Sequence, residues 1–274
     1  MFRYFYIIAF LFINNAHAGF DFFKKPDLPT VLNLENYIIY SKNNAKPIDL
    51  VKQYGENLDG LNMGKVYARQ IVVESASLKE SNFDLTNIEQ GYFQDVKMRG
   101  ATFKAADASS AIFIGVDFRD ADFGLADLSF ASFVNCNLNN AKFSGANLTS
   151  AVFFNSTLSG VQFDGANLEN VKLAGNDLSL SNFNNAKLIK ANLVNANLER
   201  STFKRANLFM AKLNNANVKD AEFYECDLTR ADIRGIRIKE AKFSDNKLTR
   251  TKTYPLKNVD YEYQKVIEDY TYNN

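Results

Sequence analysis

From residue 78 to residue 248 every fifth position carries a large apolar side chain, Ala108 excepted: Leu78, Phe83, Ile88, Phe93, Met98, Phe103 and onward to Leu248. Two residues before each stands a small one, usually Ala, as in Ala121, Ala126, Ala131, Ala141, Ala146 and Ala151. Asn176, Ile236 and Asn246 depart from that rule. The residue between is often Asp or Asn, giving strings such as Ala121-Asp122-Phe123 and Ala146-Asn147-Leu148. A helix repeats every 3.6 residues and a flat strand every 2, so neither can bury a five-residue pattern on one face. Fixed self-similarity of this kind predicts a solenoid.

A second period sits on the first. Positions 83, 103, 123, 143, 163, 183, 203, 223 and 243 are all Phe, a 20-residue spacing. Another set reads Phe93, Phe113, Phe133, Phe153 and then Leu173, Leu193, Leu213 and Ile233. The remaining two are almost wholly aliphatic, through Leu128 to Leu248 and through Leu138, Leu158, Leu178 and Leu198. Twenty residues divided by five gives four sides per coil.

These A(D/N)LXX strings resemble those of the pentapeptide-repeat proteins, and the resemblance covers about two-thirds of the chain without an insertion. It implies an all-β fold, a right-handed quadrilateral parallel β-helix of about nine coils with short helical caps at both ends. The central Leu or Phe and the small residue two before it would both point inward. At strand spacing of about 4.8 Å such a rod is roughly 42 Å long.

The chain divides on this reading into four parts. Residues 1–18 resemble a secretion signal: Arg3, an apolar run from Phe5 to Ile13, then Ala16-His17-Ala18 before Gly19. That run is too short to span a bilayer, which takes about 20 apolar residues. Residues 19–65 read as a linker and a helical N-terminal cap, with helices over 30–40 (Val31, Leu34, Ile38) and 47–57 (Ile48, Val51, Tyr54). Residues 66–251 form the repeat. Residues 252–274 form a C-terminal cap, its stripe being Val259, Tyr263, Val266, Ile267 and Tyr270.

Composition narrows the chemistry. The chain holds 32 basic and 31 acidic residues and a single histidine, His17. Cleavage after Ala18 removes both Arg3 and His17, leaving a neutral chain without histidine. Ser-His-Asp, Cys-His and His-containing zinc sites then have no histidine to use. Cys136 and Cys226 both stand where the repeat asks for alanine. They fall on opposite walls, separated by about 22 Å along the axis at strand spacing. A disulfide needs Cα atoms within about 7 Å, so two buried free thiols are expected. No catalytic, cofactor-binding or metal-binding residue is assigned, and no cofactor is expected.

Two alternatives follow from families of similar shape. The acids Asp107, Asp117, Asp120, Asp122 and Asp127 are clustered, and paired carboxylates could act on carbohydrate as in other β-helices. Their outward repeat position fits a solvated face as well. Some pentapeptide-repeat proteins imitate duplex DNA and modulate topoisomerases, which demands a strongly negative rod. This neutral chain, locally basic through Lys204, Arg205, Lys212, Arg230, Arg234, Arg237 and Lys239, does not present one. Nucleic-acid binding is not expected either.

One outward row stands apart. Just after the central position on the wall of Phe113 come Ile114, Val134, Phe154, Ala174 and Val194, flanked by Ile112 and Val152. The equivalent row on the all-Phe wall is polar: Asp84, Lys104, Gly124, Ser144, Asp164, Asn184 and Lys204. Ile112, Ile114, Val134, Val152, Phe154 and Val194 are therefore candidate protein contacts. A partner, a second copy, or the N-terminal segment folded back could cover them. A smaller patch comprises Ile189, Phe209 and Met210. The expected function is a non-enzymatic scaffold or interaction protein, an accessory of an envelope or secretion assembly. It would be exported to the periplasm or cell envelope, or else the extracellular medium, with no membrane span after signal cleavage.

Overall fold

The structure, a computed structural model, describes residues 48–253. Backbone bridges join residues twenty apart, all in parallel, from Asn57↔Ser77 to Asp232↔Lys252. Each 20-residue coil thus stacks on the last, giving the four-sided parallel solenoid of about nine turns that the double period implies.

Local chemistry turns each corner. In most pentads the backbone N–H three residues after the central one donates to the central carbonyl, as Ala126 does to Phe123 at 3.0 Å. The second residue of the turn takes left-handed φ, for example Leu125 at 60° and Asn140 at 61°. Type II and related turns demand positive φ there, which favours Gly and Asn. The Asp or Asn before the central residue stabilises the same turn: Asp127 Oδ1 accepts from Ser129 N at 2.9 Å, and Asn147 Oδ1 from Thr149 N at 3.2 Å.

The interior is a set of columns. Phe83 to Phe243 stack ring on ring, with centroids 4.5 to 5.3 Å apart. Phe93, Phe113, Phe133 and Phe153 form a second stack facing it, and rings of the two stacks meet edge to face, as Phe123 and Phe133 do at 88°. The coil rise sets the stacking distance, and the edge contacts suit the aromatic quadrupole. Burial at roughly 25 cal/mol per Å² makes these columns the main source of cohesion. Cys136 and Cys226 are buried and free within this interior.

The boundaries differ from expectation at the N-terminal end. The solenoid begins at Asn57 rather than residue 66: Leu58, Met63, Ala68 and Val73 are buried at central positions, and Leu61, Val66 and Ile71 fill the small ones. Apolarity inside suffices for the coil even where the alanine signature is missing. The helix expected over 47–57 is the single turn α1 (Leu50–Tyr54), started by Asp49, whose side chain accepts from Lys52 N at 2.9 Å. Gly55, at φ 83°, ends it. Ile48 and Leu50 are buried against the first coil, with Val51 and Tyr54 partly buried beside them, so this turn closes the core.

Seven three-residue strands are regular enough to name. Five lie on one wall: β1 (Val72–Glu74), β2 (Tyr92–Gln94), β3 (Ile112–Ile114), β4 (Ser132–Val134) and β5 (Val152–Phe154), paired in that order. β6 (Glu222–Tyr224) and β7 (Lys242–Ser244) pair on the all-Phe wall. Before β7 a 3-10 turn, Ile238–Glu240, replaces the regular corner, in the same pentad in which Ile236 occupies the small position. The signal-like segment 1–18 with His17, the linker, the helix expected over 30–40 and the C-terminal stripe from Val259 lie outside the described residues.

Candidate functional site

The five-stranded wall is where the outward apolar residues meet. Parallel register puts Val72, Tyr92, Ile112, Ser132 and Val152 in one outward row, and Glu74, Gln94, Ile114, Val134 and Phe154 in the other. Alternation along each strand sends the middle residue, Val73 through Phe153, into the core. Five of the six expected contact residues therefore share one face. Phe154 is 66% exposed and Ile112 41%, and Ile114, Val134 and Val152 are half-buried. Val194 lies two coils beyond Phe154, at a turn rather than in the sheet, with Ala174 between. Glu74 and Gln94 bound the face at one end and Lys172, bridged to Val152, at the other.

Along this wall the corner after each strand stays open, with no turn bond at Ala76, Val96, Val116, Cys136 or Ser156. At Cys136 and Ser156 the turn bond is replaced by side chains from the next coil. The Cys136 N–H donates to Ser156 Oγ at 3.1 Å, and the Ser156 N–H to Asn176 Oδ1 at 3.1 Å. In return Cys136 Sγ donates to the Phe113 carbonyl at 3.4 Å, Ser156 Oγ to that of Phe133 at 3.3 Å, and Asn176 Nδ2 to that of Phe153 at 3.0 Å. Backbone groups buried without partners would each cost about 1–3 kcal/mol, so this ladder matters to the wall's shape. It ends at Asn176, whose own N–H reaches the Leu173 carbonyl at 3.4 Å as the turn geometry resumes. The other Asn departure does the same for β6: Asn246 accepts from Cys226 N at 2.8 Å and donates to the Phe223 carbonyl at 2.9 Å.

Exposed apolar residues also occupy corners. Phe130, 64% exposed at φ 59°, stands on the corner leading into β4, and Leu125, 72% exposed at φ 60°, on the corner before it. Sequence reasoning passed over both because it followed the strand rows. The signal was available, since their corner neighbours are Ser110 and Ser150 in one case and Ala105 and Gly145 in the other. Of the smaller patch, Met210 is 38% exposed.

The clustered acids are tied up in surface pairs. Asp117 binds Arg119 at 2.6 Å, Asp120 binds Arg99 at 3.1 Å, and Asp122 lies 3.4 Å from Lys104. Asp107 accepts from Asn87 at 3.0 Å, and Asp127 from Asn147 at 3.2 Å. A hydrogen bond from Arg119 lowers the Asp117 pKa. Burial pushes the Cys136 thiol up to about 11 and the Cys226 thiol to about 12, so neither is a thiolate near neutrality. Among the described residues no group of His, Cys, Asp or Glu could hold a metal ion. No helix there is long and apolar enough to cross a membrane.

Comparison with known proteins bears on the repeat. The profile of the Pentapeptide repeat region matches residues 106–183 and 177–252. No curated protein matches the sequence. Among solved structures, the chain is similar to HetL, involved in heterocyst differentiation regulation in the cyanobacterium Nostoc sp. strain PCC 7120, at 22% identity and a TM-score of 0.41, over 79% of this chain and 95% of that one. It is also similar to QnrB1, a plasmid-mediated fluoroquinolone resistance protein, at 19% identity and a TM-score of 0.42, over 78% of this chain and 92% of that one. A thylakoid-lumen pentapeptide repeat protein of Arabidopsis thaliana is 28% identical over 38% of this chain and 66% of that one, with a TM-score of 0.20.

Proposed function

The chain belongs to the pentapeptide-repeat family, and from that premise we propose that it is a non-enzymatic interaction protein whose five-stranded wall binds another protein. Proteins of this family are generally structural or interaction proteins. The observation that carries the reading is the pairing of Ile114, Val134 and Phe154 in register on a rigid parallel sheet, with Ile112 and Val152 beside them. A preordered face loses little conformational entropy on binding, and central apolar anchors carry most of the energy of an interface.

The role is that of a scaffold or accessory subunit in an envelope or secretion assembly, in keeping with the leader-like residues 1–18. Ion pairing of Asp117, Asp120 and Asp122 with Arg119, Arg99 and Lys104 weighs against both the DNA-mimic and the carbohydrate readings. The direct test is Val134→Asp with Phe154→Asp. Both side chains are outward, so the rod should fold, and co-purifying proteins should be lost. Unchanged co-purification would reject the contact wall. Fractionation with N-terminal sequencing tests the export half: an intact Met1 in the cytoplasm would reject it and return DNA mimicry to consideration.

A further inference from the structure

The five-stranded face turns Ile112, Ile114, Val134 and Phe154 outward, and the chain enters the solenoid at its head. Asp49 bridges to Val72 in β1, so the residues preceding Ile48 leave from the first strand of this same wall. They are not needed to close the end of the core, because Ile48, Leu50, Val51 and Tyr54 already do so. We propose that residues 30–40 dock lengthwise on the face and shield Ile114, Val134 and Phe154.

Length and pattern fit. The polar stretch 41–47, Ser41-Lys42-Asn43-Asn44-Ala45-Lys46-Pro47, spans up to about 24 Å when extended, enough to double back along the wall. A helix over 30–40 would be about 16 Å long, against about 19 Å from β1 to β5 at strand spacing. Its stripe Val31, Leu34 and Ile38 covers about 10.5 Å along the helix. The row Ile114, Val134 and Phe154 covers two coil steps, about 9.6 Å. Each apolar side chain of the stripe thus faces one of the row. A partner would have to displace the segment, a regulatory consequence that rests on the proposed contact role; the docking itself does not.

Nitroxides on Asn33→Cys and Lys172→Cys in the full chain test the docking, the native thiols being buried and protonated. Docking predicts one short, narrow intramolecular distance that survives dilution with unlabelled protein. Adding Leu34→Asp with Ile38→Asp, outside the solenoid, should replace it with a long, broad distribution. A broad distribution in the parent, or a short distance that disappears on dilution and so marks a second copy, would overturn the proposal. The same double substitution without labels should raise partner capture severalfold if the segment and a partner compete. If it does not, and Val134→Asp with Phe154→Asp leaves capture unchanged, the contact role fails while the distance still decides the docking.

Discussion

Asn176 sits one coil below Ser156 with its Oδ1 3.1 Å from the Ser156 backbone nitrogen, and with its Nδ2 3.0 Å from the Phe153 carbonyl. One side chain thereby serves both backbone groups that the open corner beside β5 leaves without a turn bond. Asn176→Ala should cost about 1–3 kcal/mol, because buried donors and acceptors lose their partners together. Lys142→Ala, which removes an exposed side chain that takes no part in a turn, should stay within about 0.5 kcal/mol. Urea denaturation midpoints compare the two, and equal effects would mean that the corner tolerates water.

Phe123 is stacked between Phe103 and Phe143 at 4.7 and 4.8 Å. Phe123→Ala should cost about 3–5 kcal/mol through lost burial and the cavity left in a column that cannot collapse. Since each coil touches only its neighbours, calorimetry should also show the single transition broadening or dividing.

Phe130 holds a left-handed corner conformation in which a bulky residue is disfavoured. Phe130→Asn should leave stability unchanged or raise it by about 0.5–1 kcal/mol, since Asn tolerates that region. If Phe130 extends the contact face, the same variant captures less partner despite its undiminished melting temperature.

Burial alone would raise the pKa of Asp232, but hydrogen bonds from Arg234 and Asn214 outweigh it and bring the value to about 2. An unfolded aspartate titrates near 3.9, so the charged pair stabilises the fold above about pH 4. That contribution fades as the pH falls toward 2. Arg234 is half-exposed, which limits the size of the effect. Asp232→Asn should lower the melting temperature at neutral pH and converge with the parent in acid; a constant difference would contradict the linkage.

Cys136 and Cys226 should resist alkylation at pH 8 in the folded protein and react at once in denaturant. Their thiols are buried and shifted up to about 11 and 12. Mass spectrometry after iodoacetamide treatment reads this directly. Rapid modification of either in the native state would place it at an accessible site.

The two periods, five and twenty, made the coil and its inward residues legible, because each inward position repeats a demand for size that composition alone records. Burial of the thiols followed from the same register. The half coil before residue 66 was missed: Leu61, with Val66 and Ile71 after it, satisfies the packing without the alanine that marks the motif. The apolar row was visible as a list of residues. Its division, with Ile114, Val134 and Phe154 in a sheet and Val194 at a turn, was not.

The sequence by itself determined the solenoid, its four walls and which side chains fill them, since a fixed repeat leaves the chain one way to bury its apolar set. Only the tertiary structure decided which wall forms a continuous sheet and why Asn176 and Asn246 break the pattern. The second answer lies in hydrogen bonds between a side chain and backbone groups 20 and 23 residues away, in the coil stacked against it. A pentad cannot show whether its corner will close on itself or be held open by its neighbour.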